Sequence, residues 1–188
     1  MSLTDSFFSM RSFSGCVPKG AIALSTSVGR LAEHCVEGWL ESEGWACFER
    51  NMRVPGGEID RLFVRERGSS GLRVDLCVAE VKATRLRRRT DIVNLFSSAK
   101  MRSLIRPAQL RILWRSAAFY ERRLQAITRS PVRTYVRYFL VVYGKQNQLR
   151  ELRSQVGSAE HGFPVRLCRV SPEYLILAWS PEHAVQAF

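Results

Sequence analysis

The chain has 188 residues, 46% of them hydrophobic and 24% charged, which suits one domain with a buried core plus a tail or appendage. Lysine and arginine number 29 against 17 acidic residues, giving a formal net charge of +12 and a pI near 10.3. That balance points to a polyanionic partner, since phosphates supply much of the affinity for nucleic acid.

No stretch approaches the roughly 18 consecutive apolar residues of a membrane span, so no membrane role is expected. Residues 1–24, rich in Ser, Gly and Phe with Asp5 early, make a poor signal peptide and read as a poorly ordered extension. The cysteines are odd in number and lack a CxxC pair, which argues against a disulfide framework or a zinc site. Cys35, Cys47 and Cys77 fall within apolar patterns and read as small core residues of a protein in the reducing cytoplasm. A Walker-type glycine loop is absent, so ATP-driven chemistry is not suggested.

In chain order, Ser25, Thr26 and Ser27 offer caps for a first helix. Its apolar positions are Val28, Leu31, Ala32, Cys35, Val36, Trp39 and Leu40, with Glu33 at the border of the stripe and Gly44 as the stop. Strands are expected at 45–53, 58–67 and 72–83, separated by the turns Pro55-Gly56-Gly57 and Gly68-Ser69-Ser70-Gly71. The third is the most apolar and so the most central. A basic loop, Arg85-Leu86-Arg87-Arg88-Arg89, precedes a short helix at Asp91. Pro107 opens a long helix whose stripe is Leu110, Leu113, Trp114, Ala117, Tyr120, Leu124 and Ile127. A fourth strand is expected at 134–143, a polar loop at 144–162, and a final pair of strands at 165–170 and 174–179. Residues 25–188 then form a single α/β domain, with a core over 27–143 and a β appendage over 144–188.

Two strands carry charge where apolar residues are the rule. Glu58 and Asp60 alternate on the second, Glu80 and Lys82 on the third, so each pair shares a face. A turn centred near residue 70 pairs positions whose numbers sum to about 140, setting Asp60 opposite Glu80 and Glu58 opposite Lys82. Carboxylates about 5 Å apart repel, and a divalent cation relieves the conflict. Mg²⁺ takes one or two carboxylates and leaves its other positions to water and phosphate, and the Val81 carbonyl adds one further oxygen. Lys82 beside such a metal can orient the attacking water and offset charge on phosphoryl oxygens. Glu58 has two readings, a participant in this site or an ion-pair partner of Lys82. His34 beside Glu33 reads as a surface residue.

The ordered set is Gly29 and Glu33, Gly44 and Asn51, Gly56-Gly57-Glu58-Ile59-Asp60, Glu80-Val81-Lys82, and Lys100. It resembles the PD-(D/E)xK nuclease superfamily, and within it the YraN-like family of uncharacterised, Holliday-junction-resolvase-like proteins, over about residues 27–143. The resemblance implies a restriction-endonuclease-like αβββαβ core: a central mixed sheet flanked by helices, here with extra C-terminal strands. It implies Asp60 and Glu80 as metal ligands, Lys82 as the catalytic lysine, and Glu33 projecting from the first helix toward the metal. The cofactor would be Mg²⁺ or Mn²⁺, the substrate the phosphodiester bonds of DNA rather than RNA, and the assembly a homodimer by analogy with resolvases. Arg85, Arg87, Arg88 and Arg89, with Lys100, Arg111 and Arg115, would track the phosphate backbone. Three departures mark this chain: Arg61 follows Asp60 where an apolar residue is usual, Ala83 stands as if inserted before Thr84-Arg85, and Arg137-Tyr138-Phe139-Leu140 lacks the expected aspartate. Two rival readings are a nucleic-acid-binding protein of nuclease fold with little activity, and an assembly protein that contacts RNA.

Overall fold

The computed structural model describes residues 24–67, 73–97, 104, 106–156 and 165–180. The N-terminal extension over 1–23, the turn at Gly68–Gly71, Lys100 and the last eight residues lie outside the described residues.

Helix α1, Leu24–Ser42, is followed by strands β1 (Ala46–Val54), β2 (Gly57–Arg67) and β3 (Arg73–Arg85). Then come α2 (Thr90–Leu95), α3 (Pro107–Thr128), β4 (Val132–Tyr143), α4 (Gln146–Gln155), β5 (Arg166–Val170) and β6 (Tyr174–Trp179). The strands form one six-stranded sheet in the order β1-β2-β3-β4-β6-β5. Only β3 and β4 run parallel, and the other pairs are antiparallel, so the sheet is mixed as expected. The parallel pair needs a long crossover, and α3 supplies it.

Burial explains the layering. Residues Val74 to Val81 of β3 are buried without interruption, the pattern of a strand covered on both faces. On one face, α1 packs Ala32, Val36 and Leu40 against Phe63, Cys77, Ala79, Val81 and Phe139. On the other, α2, α3 and α4 contribute Ile92, Leu95, Leu113, Ala117, Leu124, Leu149 and Leu152 against Leu76, Val78, Tyr138 and Leu140. Gly44, with φ +82°, closes α1, and the Trp45 N–H donates back to the Leu40 carbonyl at 3.0 Å.

Some expectations shift. α1 begins at Leu24, so Ser25, Thr26 and Ser27 sit within its first turn rather than before it. Trp114 and Ile127, assigned to the apolar stripe of α3, are exposed, as is Leu31 on α1. The polar stretch after Gly144 contains α4 rather than a loop. Its apolar face is only Leu149 and Leu152, one turn apart, too sparse a pattern to show periodicity. Gln148 starts the helix by accepting the Lys145 N–H at 2.9 Å. The extra C-terminal strands are present and extend the main sheet, β6 pairing with β4 from Tyr138↔Trp179 to Tyr143↔Tyr174.

Candidate active site

The β2–β3 ladder runs from Arg67↔Arg73 to Arg61↔Ala79, and each pair sums to 140. Asp60 and Glu80 are the next positions along it. The register inferred from the hairpin midpoint therefore holds where the two strands are paired.

Simple alternation breaks at Asp60 itself. Across β1, Arg50 pairs with Arg61 and Met52 with Ile59. Ile59 and Met52 pack with the α3 side of the core, whereas Arg50 and Arg61 both reach Glu37 of α1. A regular pleat would place residues 59 and 61 on one face. The change of face falls at Asp60, level with Asn51, whose φ is +49°. Glu58 consequently does not share Asp60's environment. Glu58 is exposed, while Asp60 is half-buried and its Oδ2 accepts the Val81 N–H at 2.7 Å.

Glu80 is 3% exposed on a strand that is apolar around it. One of its oxygens is ion-paired with Lys82 Nζ. The other accepts Gln109 Nε2 at 2.8 Å. Gln109 also donates to the Glu58 carbonyl at 2.9 Å, so one α3 side chain ties both strands together. Lys82 thus pairs with Glu80, not with Glu58 as one reading of the sequence had it. Its side chain is 38% exposed, which leaves the ammonium open to solvent.

Electrostatics mark these carboxyls as strained. Burial pushes the Asp60 carboxyl above the usual aspartate range, against the Val81 N–H and the charges of Lys82 and Arg61. Burial also raises Glu80, and the neighbouring Asp60 charge adds to it. The hydroxyl of Tyr138, level with Glu80 across the parallel pair, is buried without a hydrogen-bond partner. Burial, then the Glu80 and Asp60 charges, hold its proton more tightly than in free tyrosine.

Glu33 does approach the site from α1, but it meets a cation already there. Arg61, 2% exposed, brings Nη1 to 2.9 Å from Glu33 Oε2, though not at a hydrogen-bonding angle. Arg61 Nη1 also donates to the Asp60 carbonyl at 2.7 Å, and its Nε donates to Glu37 Oε2 at 3.0 Å. Arg50 Nε completes the network on Glu37 Oε1 at 3.0 Å. Burial raises the Glu33 carboxyl despite Arg61, with Asp60 and Glu58 pushing the same way. Burial acts on Glu37 too, but Arg50 and Arg61 outweigh it and hold that carboxyl below the usual range.

Of the arginines expected to meet phosphate, Arg85, Arg87, Arg88 and Arg89 are exposed at and just past the end of β3. Arg89 is engaged with Glu151 of α4 at 2.8 Å. Arg111 and Arg115 are exposed on α3, and at 100° per residue they point away from the buried Leu113 and Ala117, so they are not gathered with the carboxylates. Lys100 lies outside the described residues.

Sequence reasoning missed Gln109 and Glu37. Both left a trace. Gln109 is a polar residue one turn before Leu113 on the buried stripe of α3, and Glu37 is one turn after Glu33 on α1.

Residues 32–142 match the model of the "Uncharacterised protein family UPF0102". A UPF0102 protein of Renibacterium salmoninarum is 32% identical over 127 residues, 67% of this chain and 92% of the relative. With the family model spanning more than half the chain and a relative matched over nearly its whole length, this protein belongs to UPF0102, the YraN family of uncharacterised proteins.

Proposed function

We propose that the protein is a metal-dependent nuclease that hydrolyses phosphodiester bonds, in DNA by preference. The observation that carries this reading is the pair Asp60 and Glu80. A buried and a half-buried carboxyl whose charges repel are set beside a solvent-reaching ammonium at the end of a strand ladder. Such an arrangement costs stability, and sites of this kind are kept for chemistry or for a cation.

The donors fit a hard divalent ion. Asp60, Glu80 and the Val81 carbonyl are all oxygen ligands, and Mg²⁺ or Mn²⁺ needs no more than one or two carboxylates when water and phosphate complete the shell. When bound, such an ion polarises the phosphoryl oxygen and acidifies water. Asp60 keeps one carboxylate oxygen free while the other is fixed by the Val81 N–H. Gln109 holds Glu80 against rotation. Lys82 places a positive charge where the phosphoryl oxygens gain negative charge and can orient the attacking water. Arg85, Arg87 and Arg88, just beyond, would hold the phosphates on either side of the reacting bond.

The test is cleavage of single-stranded, duplex and branched DNA with Mg²⁺ or Mn²⁺. Wild type should cut at least one substrate, and Lys82→Ala should lower the rate by about 10²-fold or more. DNA binding without metal-dependent cleavage of any substrate would sink the enzyme reading. A second reading, nucleic-acid binding with little turnover, draws on Arg61: its guanidinium holds Glu33, which the family resemblance would direct to the metal. In that case Lys82→Ala would leave binding unchanged and there would be no rate to lose.

A further inference from the structure

On the α1 face of the sheet lies a cavity of about 440 Å³, separate from the carboxylate pair. Its floor is Cys77, Phe139 and Ala178, members of the α1-side core, whereas Glu80 and Lys82 alternate to the other face. The volume falls within the range of small-molecule sites, about 300–1,000 Å³.

Its lining combines aromatic and cationic side chains. Trp39, Trp45 and Tyr135 present aromatic surface, arranged as edge-to-face pairs: Trp39 with Phe139 at 5.8 Å and Trp45 with Tyr135 at 6.2 Å. Arg65, Arg67, Arg137 and Arg166 surround them. Among the described residues the charges do not cancel. Arg65 and Arg67 share the single carboxylate of Asp75, at 3.1 and 2.9 Å. Arg137 has a serine hydroxyl, Ser180 Oγ, as its side-chain partner, and Arg166 makes no ion pair with any described residue. Glu43 is the one acidic residue among the described residues of the lining. The guanidinium of Arg65 lies 4.2 Å over Trp45, and those of Arg133 and Arg137 each lie 5.1 Å over Tyr135, so Tyr135 already carries two cations and Trp45 one.

Aromatic surface edged by arginine suits a flat π-system joined to an anion. Bases stack on such rings at about 1–3 kcal/mol each, and guanidinium groups fork onto phosphate. We propose that this cavity binds a nucleotide, with its base stacked on the Trp45–Arg65 pair and its phosphate on Arg137 and Arg166. The nucleotide is either free or one unit of a single strand, which share this chemistry. The proposal does not depend on the carboxylate site: it requires no metal and no cleavage.

The test is calorimetric titration of the full chain, in chelator, with adenosine 5′-monophosphate, adenosine, inorganic phosphate and a tetranucleotide. Saturable binding of the monophosphate is expected, with adenosine and phosphate each at least about tenfold weaker. Arg166→Ala alters an exposed residue on the outer strand β5 and should leave the fold intact while weakening the monophosphate about tenfold. Trp45→Leu should do the same and remove part of the ligand-induced fluorescence change. A tetranucleotide that binds more tightly and is weakened equally by Arg166→Ala identifies a strand as the source; one that binds no better identifies a free nucleotide. The proposal is overturned if neither ligand saturates below about 1 mM, or if Arg166→Ala leaves both affinities unchanged in a chain that melts as wild type.

Discussion

Asp60 and Glu80 hold their protons above the ordinary carboxyl range, chiefly because they are buried. In the unfolded chain both ionise at lower pH. Their contribution to stability is therefore fully present below the unfolded values and is lost as pH rises through the folded ones. In chelator, stability should fall as pH climbs through and above the carboxylate range. Asp60→Asn keeps an acceptor for the Val81 N–H but removes the repulsion, so it should stabilise the metal-free protein by about 0.5–2 kcal/mol near neutral pH. It should also flatten that pH dependence and abolish cleavage. Thermal melts at several pH values, paired with the nuclease assay, check all three. Arg61 behaves oppositely. Its removal, as in Arg61→Leu, leaves Glu33 and Glu37 facing each other from successive turns of α1 without their shared cation. Breaking a buried pair in this way costs about 3–5 kcal/mol, and denaturant titration should read a loss of that size.

Among the elements, the β1–β2 turn is the narrowest fit. Gly56 has φ +91°, and a Cβ added at Gly57 would meet Ile112 Cδ1 of α3 at 2.7 Å. Gly56→Ala should cost about 1–2 kcal/mol through its positive φ. The same turn leads into Glu58 and Asp60, so the substitution should also lower metal affinity, measurable by Mn²⁺ titration. The helices and strands themselves were legible in the sequence because their patterns are strong: seven apolar positions in α1, the apolar run over 76–79 in β3, and Pro107 at the head of α3. The hairpin register was legible too, since a short turn leaves few alternatives. The side switch at Asp60 was not. Alternation assumes a regular pleat, and nothing in the sequence marks Asn51, a non-glycine residue with positive φ, as sitting level with it. Arg61 looked like a misplaced charge because its partners, Glu33 and Glu37, lie on an element more than twenty residues earlier. Helix α4 escaped because two leucines in ten residues give no period to count.

For the molecule as a whole, charge is the governing quantity. A net charge of +12 predicts salt-sensitive binding to nucleic acid whatever the catalytic outcome. Replacing Arg85, Arg87 and Arg88 together by Ala should reduce the slope of log K against log salt by about one unit per phosphate contact removed. Binding measured at several salt concentrations by anisotropy checks this. An unchanged slope would show that the positive surface used lies elsewhere.

The match to the family ends at residue 142, yet the outer edge of β4 is covered by β6, whose last residue is Trp179. Sequence order and spatial order thus diverge. During synthesis the chain emerges with β1 to β4 available and the flank of β4 bare, a row of unpaired backbone groups on a strand apolar from Phe139 to Val142. Some thirty further residues must leave the ribosome before that flank closes. The nascent protein accordingly passes through an interval in which β4 is an open template, and β6 acts as a late-arriving seal.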